Sequence, residues 1–120
     1  MKTRPNVFAD SPWDFEAALA RIRGRDLTEP AGARELGATV YELAPGASGF
    51  FLRAQSTSEE LFVVLSGRPT LRTAEAERVL APGDVLACPP EGDEADTLAN
   101  VSPEIARVLA ISTPRIPEHA

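Results

Sequence analysis

Histidine is almost absent from this chain: of 120 residues only His119 is one, and it is the penultimate residue. That excludes a folded body built around imidazole, whether as a catalytic base or as a cluster of metal ligands. Cysteine is as scarce. Cys88 alone cannot form an internal disulfide or a zinc-type cysteine spacing, and it fits a reducing cytosol. Long apolar runs are missing too. The longest, Leu61 to Leu65, is far too short to span a bilayer. The residues Met1-Lys2-Thr3-Arg4-Pro5 lead into no apolar run, so no secretion signal is expected there. Positive charge is the minority sign, with 12 Lys and Arg against 18 Asp and Glu, a net charge of −6 and a pI near 4.8. This balance argues against nucleic acid and against an anionic membrane surface as partners.

What remains is an ordinary globular composition, 43% hydrophobic and 25% charged, enough for one domain with one core. Eleven prolines and eight glycines are spread along the chain, which suits short strands joined by tight turns. In the first twenty residues Ser11-Pro12-Trp13-Asp14 has the form of a helix start, with Ser11 as N-cap and Pro12 at the first helical position. Phe15, Ala18, Leu19 and Ile22 would then share an apolar face. Arg21, Arg23 and Arg25 alternate with Ile22, Gly24 and Asp26, which is strand spacing.

From Gly37 onward the pattern is β. Strands are expected over Thr39–Leu43, Gly49–Arg53, Leu61–Leu65, Asp84–Cys88, Thr97–Val101 and Ile105–Ser112, with a hairpin pairing Thr70–Thr73 and Glu77–Leu80. The run Leu61–Leu65 is continuous, as in a strand buried on both faces. Ala44-Pro45-Gly46, Ser66-Gly67-Arg68-Pro69 and Ala81-Pro82-Gly83-Asp84 are turns. Strands of this length with turn signals every 8–12 residues indicate an all-β sandwich or barrel. The expected organisation is an N-terminal arm over residues 1–20 with a short helix, one barrel domain over 21–113 and an extended tail over 114–120.

The stretch Glu59-Glu60-Leu61-Phe62-Val63-Val64-Leu65-Ser66-Gly67, then Ala81-Pro82-Gly83-Asp84, Pro89-Pro90 and Asn100, resembles the small single-domain cupins. The resemblance implies a jelly-roll barrel, a double-stranded β-helix, and a homodimer. It also implies where a metal would sit. The family's first motif places two histidines ahead of the glutamate that matches Glu60; in this chain those positions hold Arg53 and Gln55. The second motif's histidine, four positions before Asn100, is Asp96. Of the four ligands that the resemblance implies, only Glu60 is unchanged.

Arginine has no lone pair to donate and keeps its charge near neutral pH. Arg53 would set a fixed positive charge where a cation belongs, so no metal and no other cofactor is expected. An oxygen-rich site of Gln55, Glu60 and Asp96 is the atypical exception. The expected site is the barrel mouth, a small-molecule pocket lined by Phe51, Arg53, Gln55, Glu60, Phe62, Asp96 and Leu98. In the same mouth Arg53 either pairs internally with the carboxylates or binds an anionic or hydroxyl-rich ligand. The alternatives are a metal-free isomerase using Glu60 or Asp96 as base, an atypical metalloenzyme, and a structural dimer with a filled barrel.

Other residues carry plainer expectations. Cys88 has no histidine to activate it and is expected to be inert. Tyr41 could serve acid–base chemistry but lacks a histidine partner, so packing is its expected role. The acidic loop Glu91 to Asp96 lacks calcium-loop spacing. The arginine stripe of Arg21, Arg23 and Arg25 is expected to face solvent or an interface, and Phe8, Trp13 and Phe15 to cover the barrel of the same chain or of a partner. Ser56, Ser58 and Ser66 stand in no nucleophile pattern.

Overall fold

The computed structural model describes residues 4–52, 59–88 and 96–113, with side-chain surroundings left aside at Phe51 and Leu52. Ten strands and one helical turn follow in order: β1 (Phe15–Ala17), β2 (Ile22–Asp26), α1 (Thr28–Ala31), β3 (Gly37–Leu43), β4 (Phe50–Leu52), β5 (Glu59–Ser66), β6 (Thr70–Arg72), β7 (Glu77–Val79), β8 (Val85–Cys88), β9 (Asp96–Ala99) and β10 (Ala106–Thr113). They form two antiparallel sheets. The larger has the order β1-β2-β3-β10-β5-β8 and the smaller β4-β9-β6-β7. Five of the eight neighbouring pairs, β3-β10, β10-β5, β5-β8, β4-β9 and β9-β6, are not consecutive in the chain, which is the crossover pattern of a jelly roll.

Side chains alternate across each sheet, so one face fills the space between the two layers. Leu43, Phe50, Phe62, Val64, Leu80, Leu98, Ala106 and Val108 make that core. Two glycines are there for close approach. Gly67 has φ +80° and lies against the Ala106 backbone, so the β5–β6 turn tolerates no side chain. Gly24 lies under the ring of Phe15, which sits across the strand from it in register.

The helix expected from Ser11 is not formed. Residues 4–14 run without regular structure, and Phe15–Ala17 pair with β2 as an edge strand. The local cap signal is worth only about 1 kcal/mol. The competing strand packs the Phe15 ring over Gly24 and edge-on to Tyr41, at 5.9 Å between centroids. The boundary expected at residue 20 therefore falls inside the β1–β2 hairpin. The helical turn instead occupies Thr28–Ala31 and ends on Gly32, in the left-handed conformation. No helix among the described residues is long and apolar enough to cross a membrane.

The arm is clamped to the outer face of the large sheet. Arg25 donates to the carbonyls of Ser11 (2.9 Å) and Ala9 (3.0 Å), and Arg107 donates to that of Val7 (2.9 Å). Trp13 lies against three guanidinium groups, those of Arg23, Arg25 and Arg107, at 4.7, 4.7 and 5.4 Å from its ring. Buried Glu42 accepts from Arg23 at 2.7 Å and Arg107 at 3.4 Å, which balances part of that charge. So Trp13 covers the barrel of its own chain, Phe15 enters the layer between the sheets, and Phe8 stays exposed. Arg21 does not join the clamp; it donates to the Pro45 carbonyl at 3.2 Å.

The expectation of a strand buried on both faces at Leu61–Leu65 needs correction. Phe62 and Val64 are buried, but Leu61 is 38% exposed and Val63 and Leu65 are half-buried. Nothing in the chain's described residues covers the outer face of β5 as the arm covers β2 and β3.

Candidate functional site

Strand register stacks the inward residues of the large sheet into rows. Across β3, β10, β5 and β8 one row reads Gly37, Ser112, Glu60, Cys88, and the next reads Thr39, Ala110, Phe62, Leu86. Below them Tyr41, Val108 and Val64 form a third row, and Leu43 and Ala106 a fourth. The end row thus holds a carboxylate, a hydroxyl and a thiol, and the row farthest from it, Leu43 and Ala106, is apolar. The small sheet repeats the contrast, because Asp96 lies two positions before buried Leu98, on the same face of β9.

Glu60 and Asp96 are therefore brought to the same end. Half-burial pushes the Glu60 carboxyl above its usual 4.5, since the charged form loses hydration. Cys88 is pushed up by burial first and then by the negative charges of Glu60 and Asp96. A thiol held in its protonated form is a poor nucleophile and a poor metal ligand, which agrees with the inert role expected for it.

Phe62 and Leu98 are buried in the floor, 3% and 0% exposed. Phe51 is in register with Thr97, one position away from the row that joins Phe50 to Leu98 and Leu71. Arg53 and Gln55 lie outside the described residues, as does the acidic loop from Glu91 through residue 95. Tyr41 packs its ring at 4.7 Å from that of Phe50. Phe50 in turn meets Phe62 at 6.0 Å, edge to face. The tyrosine thus belongs to the aromatic floor.

One residue, Ser112, and the role of another, Asn100, were hidden from sequence reasoning. Ser112 is 7% exposed and directly opposite Glu60. Its signal was the alternation Ala106, Val108, Ala110, Ser112 along β10. Asn100, which marks the end of the second motif, is a clasp with no open hydrogen-bonding capacity for a ligand. It is fully buried, donates to the carbonyls of Leu43 (2.9 Å) and Glu104 (2.7 Å), and accepts from the Ser102 hydroxyl (2.6 Å) and backbone N–H (3.1 Å).

Among the described residues no three histidine, cysteine, aspartate or glutamate side chains converge as a metal centre requires. Among the described residues the donors at the mouth are two carboxylates and a thiol, and the chain's one histidine is His119, so this set does not fit the histidine-rich site of the fold.

No curated protein sequence matches the chain. Solved structures share its fold. A sugar phosphate isomerase of the cupin superfamily from Silicibacter pomeroyi superposes with a TM-score of 0.71 at 23% identity, over 91% of this chain and 69% of that one. KdgF from Halomonas sp. superposes at 0.72 and 18% identity, over 92% and 93%. A Cupin 2 conserved barrel domain protein from Salinispora arenicola superposes at 0.68 and 23% identity, over 94% and 88%. The cupin-domain family model matches residues 39–112, from β3 through the end of the inward row on β10. With more than half its length inside that match and the jelly roll formed, the chain belongs to the cupin family.

Proposed function

We propose that this cupin is a metal-free barrel that binds a small molecule at its mouth, around Glu60, Asp96 and Phe62 and down to Leu98. The observation that carries the reading is the inward end row of the large sheet, where Ser112, Glu60 and Cys88 lie next to a row of Phe62 and Leu86. A filled structural barrel has no use for a half-buried carboxylate whose charge is costly. The decisive experiment combines elemental analysis of the purified protein with NMR titration of small polar metabolites. Shifts confined to the mouth in metal-free protein are the expected result. A stoichiometric transition metal would overturn it.

A second reading is favoured by one observation. The raised pKa of Glu60 moves it toward the range useful for a general base, which suits a metal-free isomerase. The Silicibacter pomeroyi protein of the same fold is a sugar phosphate isomerase. A rate whose acid limb follows Glu60 and vanishes in Glu60→Gln would select this reading.

The same proposal includes a homodimer through the outer face of β5, β8 and β10. Leu61, Val63, Val85 and Ile111 form an uncharged patch there, and Val85 is 55% exposed. Leu61→Glu together with Val85→Glu should yield monomers on size-exclusion chromatography. A cytosolic location belongs to this reading as well, since the single cysteine serves no internal disulfide.

A further inference from the structure

We infer that a second copy of this chain docks antiparallel on the outer face of β10, β5 and β8, with Phe8 of each copy seated in a hollow of the other. This rests on the homodimer reading and specifies its geometry. Register sets the outward residues of the three strands into rows: Thr113 with Glu59, then Ile111, Leu61 and Ala87, then Leu109, Val63 and Val85, and last Arg107 with Ser66. The two middle rows hold six apolar side chains and no charge, and Leu61 is 38% and Val85 55% exposed. The arm borders this patch at its Arg107 end. Arg107 holds the Val7 carbonyl at 2.9 Å and lies 3.9 Å from Asp10, and Arg25 holds the Ala9 carbonyl. Between these anchors Phe8 sits in the Asn6–Ala9 turn, its N–H donating to Asn6 Oδ1 at 2.8 Å, and it is 59% exposed. An aromatic residue fixed on both sides of its backbone and still in water is a preformed anchor for a partner.

At the opposite end of the same rows a hollow of about 240 Å³ opens among Leu61, Ala87, Ile111 and Thr113, with Glu59, Glu60 and Ser112 at its polar lip. It is smaller than the roughly 300–1,000 Å³ of small-molecule sites, so it suits a single side chain. One chain cannot fill its own hollow with Phe8. Arg107 and Thr113 are six positions apart on β10, which is about 20 Å of strand. A two-fold axis across the strands, between the two middle rows, brings ring and hollow together twice, because the same patch serves both copies. It sets Leu61 against the partner's Val63 at the centre. Both copies carry a net charge of −6, so they meet at least cost where the surface has no charge. The axis also carries Glu59 toward the partner's Arg107, whereas an axis along β5 stacks Glu59 on the partner's Glu59. Arg107 is already shared by Glu42 and Asp10, so the gain is chiefly the repulsion avoided.

Disulfide trapping in the full-length chain tests the arrangement, in a Cys88→Ser background with diamide as oxidant. Phe8, Glu59 and Thr113 are all exposed, so replacing them leaves the core alone. Phe8→Cys combined with Thr113→Cys should give a covalent dimer on a non-reducing gel, and Glu59→Cys alone should give none. By sedimentation equilibrium, Phe8→Ala should raise the dimer dissociation constant about tenfold or more, a difference of about 1.4 kcal/mol. A Glu59→Cys dimer without the Phe8→Cys/Thr113→Cys one would place the axis along β5, overturning the inference and leaving the homodimer standing. An unchanged dissociation constant in Phe8→Ala would overturn it in the same way. A parent protein that sediments as a monomer would overturn both the inference and the dimer beneath it, and give the face to a different protein or to the chain's own tail, residues 114–120.

Discussion

Asn100→Ala is the perturbation whose cost can be worked most directly from the structure. The side chain is fully buried and makes four hydrogen bonds: two donated, to the carbonyls of Leu43 and Glu104, and two accepted, from the Ser102 N–H and hydroxyl. They fasten the segment between β9 and β10 to the end of β3. A net hydrogen bond contributes about 1 kcal/mol, and a buried carbonyl left without its partner costs about 1–3 kcal/mol. Ser102 and Glu104 are near enough to the surface for water to take over their bonds, but Leu43 is 0% exposed. Counting the stranded Leu43 carbonyl, the Glu104 bond and the small cavity gives a loss of about 3–4 kcal/mol. For a domain of this size that lowers the melting temperature by on the order of 10 °C. Urea denaturation with a two-state fit measures it. Asn100→Asp should lose as much or more, because it keeps the shape, drops both donors and buries a charge. A loss under about 1 kcal/mol in Asn100→Ala would refute the clasp.

Three further outcomes follow from the same contacts. Trp13→Ala should cost about 2 kcal/mol by calorimetry, through lost burial and three guanidinium contacts, and should speed proteolysis of the arm without altering the mouth; unchanged arm protection would contradict the clamp. Gly24→Ala should destabilise by about 1–3 kcal/mol because the new methyl group overlaps the Phe15 ring, and the penalty should shrink in a Phe15→Ala background, so additive costs in that double-mutant cycle would argue against the contact. Glu60 holds its proton more tightly folded than unfolded, so its contribution to stability is whole below pH 4.5 and is lost as pH rises through its raised folded pKa. Glu60→Gln should therefore gain stability relative to the parent between acid and neutral pH, and a gap that is flat across that range would refute the desolvation.

The β content was legible because period-2 alternation is a local property. Strands β3, β6, β7, β8 and β10 fall within a residue or two of their expected places. The first twenty residues misled for the same reason. Ser11-Pro12 is a genuine cap pattern, but its small local preference was outweighed by the Phe15–Tyr41 contact, whose partners lie 26 positions apart in the sequence. The spacing of Arg23 and Arg25 showed that they share a face. It could not show that the face would hold Trp13 and the carbonyls of Val7, Ala9 and Ser11, because backbone acceptors carry no sequence signature. Glu60 and Asp96 were singled out by their places in the family motifs, and register brings them to one end of the barrel. Ser112 was not, since nothing local distinguishes a serine that faces a carboxylate from one that faces solvent.

The amino-acid order alone settled the class of fold and ruled out an imidazole-based centre, because composition, alternation and the count of histidines need no third dimension. The tertiary structure decided which polar side chains meet. Register brought Ser112 opposite Glu60 from positions 52 apart in the chain. It also turned Asn100 from a motif marker into a clasp. Long-range pairing is fixed by how two sheets fill one core, and that information belongs to the packing as a whole rather than to any one segment.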